Sequence, residues 1–68
     1  MYYIIVYGSF GNCIISDKGL PTWDTDNAML FHSRTEAGQY INNTWKAWGE
    51  QADSFRIYQL EPKVKGAG

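Results

Sequence analysis

From residue 2 to residue 7 the chain is a continuous run of aromatic and β-branched side chains. Such a run predicts a β-strand. Gly8-Ser9-Phe10-Gly11-Asn12 follows with turn residues, the glycines being able to take positive φ. Cys13-Ile14-Ile15 then reads as a short second strand, folded back on the first as a hairpin. Asp17-Lys18-Gly19 closes this unit, and Pro21 predicts irregular backbone after it. Trp23 sits between Thr22 and Asp24 in a polar loop, where an indole is expected to fold back on the sheet. Residues 28–32 predict a third short strand or an extended lead-in to the next element.

That element is a helix. Ser33-Arg34-Thr35-Glu36 has the capping-box pattern, in which Ser33 and Glu36 each satisfy a backbone N–H that the helix leaves unpaired. Ala37, Tyr40, Ile41, Thr44, Trp45 and Trp48 recur at i, i+3, i+4, i+7, i+8, i+11 and define one apolar face. Gly49 is placed to cap its C-terminus. Residues 55–60 read as a last strand, stopped by Pro62, which leaves 63–68 as a tail expected to fray. The predicted architecture is α+β: a small antiparallel sheet of three to four strands with one amphipathic helix, in the order β-β-(β)-α-β. It forms a single domain over 1–62. The last strand has the option of pairing with the first, but strand order does not follow from the pattern.

The strands carry a further message. A sheet with one helix buries one face, so its strands are expected to alternate apolar and polar. These do not. Tyr2, Ile4 and Val6 lie on one side of the first strand and Tyr3, Ile5 and Tyr7 on the other; Ile14 and Ile15 point opposite ways, as do Ile57 and Tyr58. The second face therefore calls for a cover: the loop 17–27 with Trp23, a second copy of the chain, or another protein.

Composition narrows the options. With 68 residues there is room for one core, and a chain this short needs a staple or dense apolar packing. Cys13 is the only cysteine, so no disulfide forms within the chain, and with His32 the only histidine a structural zinc site is not expected. Aromatics at 16% supply large side chains that bury much area from few positions. The formal charge of −1 lacks the basic excess of a general nucleic-acid binder. No stretch approaches the roughly 18 apolar residues of a membrane span. The apolar start lacks a basic leader and a small-residue cleavage site, and a lone cysteine fits a reducing compartment, so the expected location is cytoplasmic.

Catalytic constellations are not evident. Asp24 and Asp26 are spaced as in the start of a calcium loop, but the glycine and terminal glutamate of that loop are missing, so they are read as turn-ordering residues. His32 is read as a boundary residue, and Cys13, with no base beside it, as a small buried hydrophobe. Gly8-Ser9-Phe10-Gly11 does not open a helix and is read as a hairpin turn, not a phosphate cradle. Trp45 and Trp48 share the stripe of Ala37 and Ile41 and are read as core, in preference to a base-stacking platform. No cofactor, metal site or small-molecule substrate is expected.

Trp23-x-x-Asp26-x-Ala28-x-x-Phe31-x-Ser33-x-x-Glu36-Ala37-x-x-Tyr40-Ile41 resembles a pattern found in short bacteriophage and bacterial ββ(β)αβ proteins. The resemblance spans roughly residues 2–60 and brings no catalytic residues. It implies a similar fold and a phage or mobile-element origin, with a role in binding and modulating a host protein.

The expected function is thus a non-enzymatic protein-interaction module whose partner is a host protein or a second copy. Tyr3, Tyr7 and Tyr58 on the far sheet face form its contact surface, with Trp23 and Asp24 from the loop. The alternatives are a self-assembling structural protein and a nucleic-acid-associated protein using Lys46, Arg56, Lys63 and Lys65.

Overall fold

The computed structural model describes residues 1–60. Pro62, the expected tail at 63–68 with Lys63 and Lys65, and the boundary at 62 lie outside the described residues. The chain forms one antiparallel four-stranded sheet with one helix packed against it. The strands are β1 (Tyr2–Gly8), β2 (Gly11–Ile15), β3 (Pro21–Thr22) and β4 (Ala52–Gln59), and the helix is α1 (Arg34–Trp48). Spatial order in the sheet is β3-β2-β1-β4, so the last strand pairs with the first across the helix.

β1 and β2 form the expected hairpin, closed at Gly8↔Gly11 around Ser9 and Phe10. Gly11 has φ 75°, a left-handed conformation that a side chain would disfavour. Below Ile5↔Ile14 the two strands part, and residues 28–31 occupy the gap. Ala28 bridges Ser16 on one side, and Phe31 bridges Tyr2 on the other through two 2.8 Å backbone bonds. The extended lead-in is therefore present, but the third strand is not there. It is at Pro21–Thr22, where irregular backbone was expected. Proline is tolerated because β3 is an edge strand, whose outward positions have no ladder bond to lose.

Helix α1 begins as the capping box predicts, with Ser33 Oγ accepting from the Glu36 N–H at 3.1 Å. Glu36 reaches back one residue further than that motif requires, to the His32 N–H at 3.3 Å. Gly49 ends the helix at φ 58°, its N–H donating to Trp45 O. A 3₁₀ turn, Gly49–Gln51, then leads into β4, which starts three residues earlier than the apolar pattern suggests. The early start involves a bulge: Tyr7 faces Ser54 and Gly8 faces Ala52, leaving Asp53 as the extra residue.

The core lies between the sheet and α1. Ile4, Val6, Cys13 and Ile15 from the sheet are closed off from water, together with Ala37 and Trp48 from the helix and Phe31 from the lead-in. Trp48 meets Phe10 and Phe55 edge-on, with ring centroids 6.2 and 6.3 Å apart. Two expectations fail here. Trp45 shares the helical stripe but is 51% exposed, lying beneath the Lys46 ammonium at 5.9 Å. Trp23 is 65% exposed instead of folded back on the sheet. In the first case the sheet is narrower than the stripe. In the second, the loop is spent on making β3, which places residue 23 beyond the sheet edge.

Candidate functional site

Register decides which side chains share the outer face of the sheet, the one turned away from α1. Cross-strand partners point to the same side, so Tyr3↔Tyr58, Ile5↔Arg56 and Tyr7↔Ser54 stand together there, followed on the other flank by Ile5↔Ile14 and Ile14↔Thr22. The expected division of β1 into two apolar faces is present. Loop 17–27 adds β3 to the edge of the sheet next to β2, two strands away from β4. Among the described residues no element lies across the outer face of β1 and β4. Ile14 is buried, Tyr3, Ile5 and Tyr7 are half-buried, and Tyr58 is 40% exposed.

Three of the expected contact residues come together. Tyr3 and Tyr58 stack at 6.0 Å between ring centroids with planes 28° apart. Tyr7, four residues further along β1, points back to Tyr58 so that the two hydroxyls are 2.8 Å apart. Ile5 and Arg56 occupy the paired position between them. The result is a small aromatic platform with the Tyr7 and Tyr58 hydroxyls bound to each other and Arg56 beside it. Only the alternative nucleic-acid reading gave Arg56 a role, on a different surface; its place among the tyrosines follows from β1–β4 pairing, which the sequence pattern left open.

The surroundings of Tyr7 favour its neutral phenol. The hydrogen bond to Tyr58 raises the Tyr7 pKa above the ordinary 10.0, burial adds to the shift, and Arg56 opposes it. Raised above its unfolded value, this group stabilises the fold fully below about pH 10, and the contribution is lost as pH rises through the folded value. In an alkaline absorbance titration, one tyrosine of the wild-type chain is expected to ionise late. Tyr58→Phe should abolish that late step, whereas an unchanged curve would refute the coupling.

Trp23 and Asp24 are not brought to this platform. They follow β3, two strands away from β1, on the order of 10 Å across the sheet. Asp24 is occupied locally: its Oδ1 accepts from the Asp26 N–H at 2.9 Å, capping the 3₁₀ turn Thr25–Asn27. That is the turn-ordering role expected of the pair, with Asp24 as acceptor. Lys46 and Arg56 are also separated, one on the helix and one on the sheet face opposite it, so they do not form a single basic patch. Cys13 is 1% exposed, and burial raises its thiol pKa, which disfavours the reactive thiolate. Among the described residues, no three His, Cys, Asp or Glu side chains gather into a metal-binding group. None of the described helices is long and apolar enough to cross a membrane.

A concavity lies elsewhere, at the helix end. Phe10, Leu20, Pro21, Thr44 and Trp48 line a groove of about 410 Å³. Sequence reasoning missed it because its walls come from the hairpin turn, β3 and the helix C-terminus, which only the fold brings together. The sequence carries only a weak signal for it, a phenylalanine in a glycine-flanked turn and a leucine before Pro21; the structure leaves both exposed, at 41% and 61%.

No protein-family model, curated protein or solved structure matches the chain.

Proposed function

We propose that this chain is a small non-enzymatic protein-interaction module, of phage or mobile-element origin, that binds a host protein through the outer face of β1 and β4 and modulates it by occupying its surface. The observation that carries this reading is the tyrosine platform itself. Tyr3, Tyr7 and Tyr58 are held against one another by a stack and a hydroxyl–hydroxyl hydrogen bond, so little side-chain entropy remains to be lost on docking. Half-exposed aromatic surface with polar tips, set beside an arginine, has the composition of an interface centre. A neutral phenol with a raised pKa is a poor nucleophile or base near pH 7, which favours recognition over catalysis at this site.

The test is retention of a bacterial protein from nuclease-treated lysate by the tagged chain, compared with a Tyr3→Ser/Tyr7→Ser variant of unchanged circular dichroism. The wild-type chain is expected to retain one protein near stoichiometric amounts. The variant should bind that protein at least about thirty-fold more weakly, the equivalent of roughly 2 kcal/mol for a central aromatic contact. Equal retention by both chains would overturn the surface assignment, and retention of nothing would overturn the function.

A further inference from the structure

The two edges of the sheet are built differently. β3 is two residues long and begins with Pro21, which is how natural sheets blunt an edge. β4 is eight residues long and holds no proline. Its outer edge is unpaired among the described residues, because β4 is last in the order β3-β2-β1-β4.

The backbone of that edge can be assigned. Leu60 N–H donates to Met1 O at 2.8 Å, while both backbone groups of Tyr2 are turned the other way, to Phe31. Antiparallel pairs alternate between bonded and non-bonded. Tyr58, Arg56 and Ser54 therefore bond to β1, and the N–H and C=O groups of Phe55, Ile57 and Gln59 face outward. Phe55 and Ile57 also project their side chains onto the core side, yet both stay only half-buried. Among the described residues, this edge thus presents unpaired hydrogen-bonding groups beside incompletely covered apolar side chains.

We propose that a second copy of this chain pairs with β4, antiparallel and about a two-fold axis at Ile57, to make a continuous eight-stranded sheet. The register follows from the side chains. Pairing Ile57 with the partner's Ile57 sets Phe55 opposite Gln59 on the core side, and it sets Arg56 opposite Tyr58 on the outer side. A guanidinium beside a phenol ring is a favourable cross-strand neighbour. Sliding the partner by two residues in one direction opposes Arg56 to Arg56, a like-charge pair, and in the other direction sets Ile57 against Gln59. The central register is the one that avoids the repulsion and joins the apolar side chains of the two cores. It also lays the two tyrosine platforms side by side on one face. The inference rests on the backbone of β4 and stands independently of what the platform binds.

Sedimentation equilibrium of the purified full-length chain over a range of concentrations tests this directly. The wild-type chain is expected to be in monomer–dimer equilibrium. Gln59→Pro removes an outward N–H without touching the β1 ladder, and it should be monomeric throughout while keeping the wild-type circular dichroism. A monomeric wild-type chain, or a dimer that survives Gln59→Pro, overturns the proposal. Register is read by oxidising an equal mixture of Arg56→Cys and Tyr58→Cys chains. The mixed disulfide should dominate over either homodimer, because residues 56 and 58 face each other at a closely spaced non-bonded pair. Preference for the Arg56→Cys homodimer would overturn the register.

Discussion

Replacing Gly8 with alanine should unfold about half of the protein at room temperature. Gly8 lies at the end of β1 on the core side, where the chain leaving α1 passes over it to enter β4. A Cβ at that position would sit 2.1 Å from Gln51 O and 2.9 Å from Ala52 Cα. Both obstacles are backbone, so no rotamer change relieves them. The same carbonyl accepts the Ser9 N–H at 2.9 Å, which ties the hairpin turn to the β4 entrance. Moving Gln51 away would break that bond and disturb the bulge at Asp53. Clash and lost pairing together are expected to cost about 4 kcal/mol. A domain of this size holds on the order of 3–5 kcal/mol in all, so the folded fraction should fall to about half at room temperature. Urea unfolding followed by circular dichroism measures this. Gly38→Ala is the matched control: its Cβ would meet nothing within 4 Å in mid-helix, and it should stabilise by roughly 0.5–1 kcal/mol. If the two variants melt alike, the close approach at Gly8 is not what the structure describes.

The two helix tryptophans should behave oppositely despite equal standing in the apolar stripe. Trp48 is 7% exposed, fits edge-on between Phe10 and Phe55, and forms the floor of the groove at the helix end. Trp48→Ala should cost about 3–5 kcal/mol, through lost burial and the cavity left behind. It should also loosen the hairpin turn, because Phe10 loses its main aromatic contact. Trp45→Ala removes a half-exposed ring that lies beneath the Lys46 ammonium. Its effect should stay within about 0.5 kcal/mol. Comparable losses in the urea midpoint for both variants would contradict the difference in their environments.

Much of the fold is legible in the residues because the governing interactions are local. Ser33 and Glu36 cap a helix from four residues of sequence, and Gly49 stops it. The dense run Tyr2–Gly8 and the glycine-flanked turn after it leave few alternatives to a hairpin. The elements misread are those decided at long range. Residues 28–31 are extended as expected, but whether they become a strand depends on β1 and β2 parting beneath Ile5 and Ile14. Pro21 enters the sheet because the position left for it is an edge.

The candidate site divides in the same way. That Tyr3 and Tyr7 share a face of β1 follows from the two-residue period of a strand, and the same period sets Tyr58 opposite in sense to Ile57. That they form one platform depends on β4 pairing with β1 at Tyr3↔Tyr58, with Arg56 between. Trp23 and Asp24 had the right chemistry but were carried to the far edge by β3.

By itself, then, the sequence determined the first hairpin, the helix and its ends, the two-faced first strand and the absence of an internal disulfide, since each depends on side-chain type, spacing or count. Only the tertiary structure decided which apolar residues are covered, which strand edge stays open and which tyrosines meet. Those outcomes depend on strand order and register, and both are set by contacts between residues some fifty positions apart, such as Tyr7 and Tyr58, that leave no periodic trace along the chain.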